Sequence, residues 1–167
     1  MITYRLATEE DNGQLVELTA SDGMSGEIGL RIERNPDFFR LLELRGDSKV
    51  FVALDNATII GAICISLQQI YINGTTLPLY YIGDFKVASN HRRSGIGLKL
   101  CDQAAEYILS QKVDLVFLNV SKGNTDPISF FKNRPNVPNF TNIGLFNIYQ
   151  FIGISKTPRH NNYQIEH

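Results

Sequence analysis

Six consecutive residues, Arg92-Arg93-Ser94-Gly95-Ile96-Gly97, combine two guanidinium groups with two glycines spaced one apart, and an amphipathic run follows them. A turn of this composition that opens a helix leaves several backbone N–H groups unpaired and pointing one way. With the helix dipole behind them and Arg92 and Arg93 beside them, those amides form a site for an anion, most simply a phosphate. The glycines let the backbone approach the anion closely and take positive φ where the turn requires it. Lys99, just inside the helix, and His91, just ahead of the turn, are candidates to reach further phosphate groups. A solvated charge is the ordinary state of either side chain.

The flanking elements decide what such a turn can hold. Residues 80–87 read as a strand that delivers the chain directly into it. Before that strand, residues 50–54 and 59–67 are β-branched and apolar and are joined by Asp55-Asn56-Ala57-Thr58, a hairpin. Its second strand can run on to Ile72, where Asn73-Gly74 is a strong two-residue hairpin signal. The chain opens with Ile2, Tyr4 and Leu6 in alternation, a short strand. Thr8 and Asp11 have capping-box spacing, with Leu15 and Leu18 following at helical spacing. The glycine-punctuated stretch 21–29 reads as a loop, and Pro36 as the start of a short helix carrying Phe38, Phe39, Leu41 and Leu42.

Downstream of the turn, Leu98, Cys101, Ala105, Ile108 and Leu109 predict an amphipathic helix. The nearly continuous apolar run Leu115-Val116-Phe117-Leu118 places a strand over 113–120, read as central. Asp126 as cap and Pro127 at the first helical position start a further short helix. Residues 140–154 alternate again, as one long or two short strands. The order β-α-α-β-β-β-α-β-α-β predicts a single α/β domain over 1–154, a mixed sheet with helices on both faces, and a polar tail over 155–167.

Bulk composition narrows the function classes. A chain of 167 residues, 43% hydrophobic and 20% charged, is long enough for one well-buried core and too apolar to be disordered. Its net charge of −1 does not favour nucleic acid as a partner. No apolar run approaches membrane-spanning length, and the N-terminus lacks the apolar core of a signal peptide. Cys64 and Cys101 show no metal-ligand spacing and read as buried, reduced thiols of a cytoplasmic protein.

Among phosphate motifs, a dinucleotide fingerprint needs a third glycine where Leu100 stands, and a Walker loop would need G-x-x-x-x-G-K-[ST], which is absent. The run Arg92 to Gly97 instead fits the [QR]-x-x-G-x-[GA] signature of the GNAT superfamily of N-acetyltransferases. Gly83-Asp84-Phe85-Lys86-Val87 ahead of it resembles that superfamily's fourth strand, and Asn124 with Pro127-Ile128 and Phe130-Phe131 resembles the helix after its fifth strand. The stretch from Met24 to Phe39, with Asn73-Gly74, is similar to a bacterial branch of the superfamily.

The resemblance implies a mostly antiparallel sheet of six to seven strands, splayed between strands 4 and 5, with acetyl-coenzyme A as cosubstrate in the splay. Its pyrophosphate would sit on the amides of Arg93, Ser94, Gly95, Ile96 and Gly97, beside Arg92. Its pantetheine arm would pair along Phe85, Lys86 and Val87, with Lys99, Asn124 and Phe131 also near the cofactor. The Val87 N–H would polarise the thioester carbonyl and hold its developing oxyanion. No metal is implied, and a small-molecule or peptide amine is the expected acceptor. The strand-rich C-terminus could pair with a second copy of the chain.

Two customary proton carriers are missing. The fourth-strand glutamate aligns with Gly83, and the tyrosine seven residues after the asparagine aligns with Phe131. A lysine-like amine of pKa about 10.4 must then shed its proton at pH 7 at a cost of about 4.6 kcal/mol, against about 1.4 kcal/mol for an α-amine of pKa near 8. Losing the acid matters less, because a thiol of pKa about 8.5 is a good leaving group. Three residues are candidate bases or acceptor contacts: Asp84, which strict alternation points away from Gly83's face, Tyr81, which shares that face, and Glu27 in the early loop. Arg31 is a further candidate acceptor contact. Gly83 and Phe131 also suit an alternative, a non-catalytic module that binds acyl-coenzyme A. A weaker one is a nucleotide-binding protein that uses the phosphate turn for another ligand.

Overall fold

Alternating apolar residues assemble the expected strands into one sheet in a computed structural model, which describes residues 1–21, 33–124, 126–131 and 140–147. The strands are β1 (Ile2–Leu6), β2 (Asp47–Asp55), β3 (Thr58–Ile72), β4 (Thr75–Val87) and β5 (Val116–Leu118), side by side in chain order. β1 to β4 are antiparallel and β5 lies parallel to β4. The β3–β4 hairpin turns at Asn73 and Gly74, with φ of 50° and 84°, as a two-residue turn with both central residues left-handed requires.

Helices cover both faces. On one, α1 (Asn12–Ser21) and the single turn α2 (Arg40–Glu43) bring Leu15, Leu18, Phe38 and Leu42 onto Val50, Val52, Leu54 and Cys64. On the other, α3 (Ile96–Ser110) lays Ile96, Leu100, Cys101, Ala104 and Ile108 onto Phe51, Ala53, Ile63, Ile65 and Tyr80. Where β2 and β3 are covered on both faces, over 50–54 and 59–65, nearly every residue is apolar. A Cβ on Gly61 would lie 3.1 Å from Leu100 and 3.2 Å from Ile96, so the glycine lets α3 settle onto the sheet.

The Thr8/Asp11 capping box forms in a 3-10 turn (Glu9–Asp11) that leads into α1. Asp11 also receives both guanidinium nitrogens of Arg5, at 2.6 and 2.8 Å. The Arg5 hydrogen bond holds its carboxyl below the usual carboxylate range, against the opposing effect of burial.

Several expectations are corrected. Pro36 precedes α2 instead of opening it, because the Asp37 carboxylate accepts from the amides of Phe39 and Arg40 and so starts the helix later. Leu98 and Leu109 are exposed, since α3 begins at Ile96 and docks through that residue, which rotates the buried stripe. β5 is three residues at the sheet edge, not a central strand, among the described residues. The described sheet has five strands, and 140–147 form none. Residues 148–154 and the 155–167 tail lie outside the described residues.

Two features of β4 shape the site. β5 pairs with it only at Tyr80, Tyr81 and Ile82, so from Gly83 to Val87 that edge has no strand beside it among the described residues. In addition, Cys64 pairs with Gly83 and Ala62 with Lys86, so β4 carries one more residue than β3 between these pairs. That residue is Asp84, at φ 48°, and the pair forms a β-bulge. α4 (Asp126–Phe131) follows β5 and packs its two phenylalanines over the α3 side.

Candidate active site

After β4 the chain makes a 3-10 turn (Ser89–His91) and enters α3 through two left-handed residues, Arg93 at φ 63° and Gly95 at φ 86°. Gly95 is the N-cap and brings no capping side chain, so the helix head is left to the backbone. The amides of Gly95, Ile96, Gly97 and Leu98 have no acceptor among the described residues, and they open at an exposed turn. Left-handed residues interleaved with such amides make a concave anion nest. The positive φ falls on Arg93 as well as Gly95, whereas Gly97 is helical and serves packing. A Cβ there would lie 3.1 Å from the Phe85 ring and 3.5 Å from Phe130.

Arg92 folds back so that its Nε donates to the Val87 carbonyl at 3.3 Å, which ties the turn to the strand end. Ser94 closes the turn by donating its hydroxyl to the His91 carbonyl at 2.5 Å. Arg93 and Lys99 stand exposed beside it. The His91 ring, a candidate phosphate contact, lies 2.8 Å from Asn90 and 3.8 Å from Asp55.

The amides of β4 continue this array. Ala88 donates to the Ile60 carbonyl of β3 at 2.8 Å, so by strand alternation the N–H groups of Phe85 and Val87 point to the opposite edge, the one β5 has left. At the other end, Tyr80 donates to Leu115 at 2.9 Å on the same edge. Phe85 and Val87 turn their side chains toward α3, where Phe85 meets Phe130 at 5.2 Å and Phe131 at 6.0 Å between ring centroids. Phe131 itself is buried in this cluster, so the residue aligned with the customary acid is part of the core.

The opposite face of β4 is built from side chains. The bulge cancels alternation, and Asp84 therefore points to the same side as Tyr81 and Gly83, not away from them. Its carboxylate is 6% exposed and accepts from Arg34 at 2.5 Å and Arg45 at 2.7 Å. Arg34 arrives from the segment before α2 and Arg45 from just after it, 50 and 39 residues away in the chain. The Arg45 guanidinium also lies over the Tyr81 ring at 5.3 Å, a cation–π contact. A Cβ on Gly83 would meet that ring at 2.8 Å and Arg45 Nη1 at 3.3 Å, so the glycine is the space Tyr81 and Arg45 occupy.

Lys86 shares this face. Its Nζ donates to the Thr19 carbonyl at the end of α1, at 2.8 Å, away from the open edge along which it was placed. Asn124 sits past β5, its amide donating to Ser121 at 3.0 Å. Glu27 and Arg31 lie outside the described residues. Cys64 is buried under the bulge, where burial, reinforced by Asp84, pushes its thiol up to about 12. Both cysteines are buried, and neither forms a disulfide among the described residues. No group of three or more His, Cys, Asp or Glu suited to a metal exists among the described residues.

Sequence reading missed Arg34 and Arg45. The signal was indirect: an acidic residue inside a strand that runs through the core must find a buried cation.

The profile of the acetyltransferase (GNAT) family matches residues 14–134. A search of curated proteins found no match. Among solved structures, a transcriptional regulator from Bacillus halodurans is similar at 22% identity and a TM-score of 0.69, covering 89% of this chain and 100% of that one. An aminoglycoside acetyltransferase from an uncultured soil metagenomic sample is similar at 24% identity and 0.65, over 90% and 96% of the two chains. An acetyltransferase from Clostridium acetobutylicum solved with acetyl-CoA is similar at 17% identity and 0.59, over 86% and 96%.

Proposed function

Because the chain belongs to the acetyltransferase (GNAT) family, we propose that it binds acetyl-coenzyme A between β4 and β5 and delivers the acetyl group directly to an amine. One observation carries this reading: among the described residues, the edge of β4 from Gly83 to Val87 lacks a strand partner and, beyond the 3-10 turn Ser89–His91, the amides at the head of α3 lack acceptors. A pantetheine arm is an extended chain of amides, and it can pair along the free N–H groups of Phe85 and Val87 as a further strand would. A pyrophosphate then reaches the Gly95–Leu98 amides, with Arg93 and Lys99 beside it. The family's use of acetyl-CoA and the relative solved with it point the same way.

The residues divide the work. The Val87 N–H donates to the thioester carbonyl and strengthens as negative charge develops there. The amine forms the new C–N bond as the C–S bond breaks; overall, an ammonium acceptor gives its amide, the free thiol of coenzyme A and one released proton. Asp84 is placed on the acceptor side, but both its oxygens accept from guanidinium groups, so it anchors instead of carrying a proton. Gly83 supplies none. The acceptor is therefore best deprotonated before attack, a cost of about 1.4 kcal/mol for an α-amine against about 4.6 kcal/mol for a lysine-like amine.

The test is thiol release from acetyl-CoA against a panel of amino acids, peptides, polyamines and aminoglycosides, with calorimetry of coenzyme A and of ATP alongside. Amine-dependent release is expected, with coenzyme A binding far more tightly than ATP. Tight binding of acetyl-CoA with no release on any amine would overturn acetyl transfer and leave a binding module. Equal binding of ATP would overturn the assignment of the cofactor.

A further inference from the structure

The face on which an acceptor must arrive carries a charge arrangement that the transfer reaction does not itself explain. On the α3 side, the free edge of β4 is closed by the rings of Phe85, Phe130 and Phe131, with centroid separations of 5.2, 6.0 and 5.3 Å. An acceptor therefore reaches the edge from the α1/α2 side. The first groups it meets there, at the residue where β5 parts from β4, are Gly83, the half-buried Tyr81 ring and Arg45.

Among the described residues, Arg34 and Arg45 present two guanidinium groups to the single carboxylate of Asp84. Arg34 is nearly sealed, at 2% side-chain exposure, and its Nε has no acceptor among the described residues. Arg45 is open to solvent at 21%. Its Nη1 is spent on Asp84, while its Nη2 and Nε have no acceptor among the described residues. The guanidinium carbon also lies 5.3 Å from the Tyr81 ring centroid. A rigid, half-desolvated fork with unused donors matches a carboxylate in both charge and shape.

Resting on the acetyl-transfer reading, we infer that the acceptor is an amine that carries a carboxylate, and that the free side of Arg45 receives it. The same arrangement repels polycationic amines, since bringing like charges together in a partly desolvated site is costly. Arg34 and Asp84 hold Arg45 at its post, and Gly83 leaves the room that Tyr81 and Arg45 fill.

The experiment uses the full chain saturated with acetyl-CoA for turnover and with coenzyme A for calorimetry. Glutamate, glutamine and glutaminamide remove carboxylates one at a time. Aspartyl-alanine against its diamide asks the same of a peptide, and spermidine and kanamycin serve as polycations. The expected result is a fall of about tenfold or more in kcat/KM and in binding constant across the carboxylate series. Arg45→Met should flatten that series through KM, Arg45→Lys should keep part of it, and acetyl-CoA affinity should stay unchanged in both. The free-acid and peptide arms show which source of the carboxylate the site takes.

A flat or reversed series in the wild-type protein, or spermidine or kanamycin as the best substrate, would overturn the inference and leave acetyl transfer standing. Carboxylate-dependent binding without thiol release would overturn acetyl transfer and leave the inference standing. Neither outcome depends on a variant that must fold.

Discussion

On the α3 side of the β4 edge the site is made of main chain: two strand amides and the four at the head of a helix, all contributed by residues 85–98. On the α1/α2 side it is made of side chains, with Arg34, Arg45, Tyr81 and Asp84 brought together from three separate stretches. The difference separates two kinds of specificity. A row of amides recognises a ligand common to many proteins and tolerates changes of side chain, provided the backbone keeps its shape. A cluster of buried charges depends on its particular side chains and fails when any member is removed. Backbone conformation is therefore the vulnerable property of the first region and side-chain identity that of the second.

The largest effect expected is on the charged side. Asp84→Ala strands Arg34, which is 2% exposed, and should cost about 3–5 kcal/mol of stability in a denaturant titration. Removing Arg34 as well, in Asp84→Ala/Arg34→Met, should recover part of that loss. A loss under about 1 kcal/mol, typical of an exposed pair, would mean that the cluster is not buried in solution. On the main-chain side, Gly95→Val forces a β-branched residue to φ 86°, a strain of about 1–3 kcal/mol. It should weaken acetyl-CoA binding by about tenfold or more in calorimetry, since the turn relaxes by giving up its amide array.

Gly83→Ala tests whether the vacant base position is empty or occupied. A Cβ there meets the Tyr81 ring at 2.8 Å, so overpacking should cost about 1–3 kcal/mol and raise acceptor KM with acetyl-CoA affinity unchanged. If the substitution is silent in both stability and KM, the ring does not rest over Gly83. The smallest effect lies further from the edge. Asp11→Asn should cost about 1 kcal/mol at pH 7, the usual size for a helix-entry cap. The Asp11 carboxyl is held below its ordinary value, so its stabilisation is present above a pH of about 4 and is lost as pH falls through the folded-state value. Thermal melts of the two proteins should draw together as the pH falls below about 4.

The same contrast explains what could be read from the sequence. The conformation of the Arg92–Gly97 turn, the strand before it and the Asn73-Gly74 hairpin were legible because each is encoded by neighbouring residues with a local steric reason. The capping box at Thr8 and Asp11 was legible for the same reason. The Asp84 cluster was not, because nothing near Arg34 or Arg45 refers to residue 84. The direction of Asp84 was misread because alternation assumes an unbulged strand, and only the pairing with β3 reveals the extra residue. Glycines told half of their story. Gly95 supplies a left-handed turn, while Gly97 and Gly83 make room for rings that lie elsewhere in the sequence.

The bulge at Asp84 makes the length of β4 as informative as its composition. Everything from Phe85 to Val87 owes its orientation to one added residue upstream, much as a reading frame depends on an inserted base. Without it, the Lys86 ammonium would enter the aromatic cluster, Phe85 would turn toward α1, and the amides that line the open edge would face β3. Relatives that carry different residues along this strand can keep the site. A relative that lost a single residue between Tyr81 and Val87 would have every later side chain and amide on the wrong side, however similar its remaining sequence.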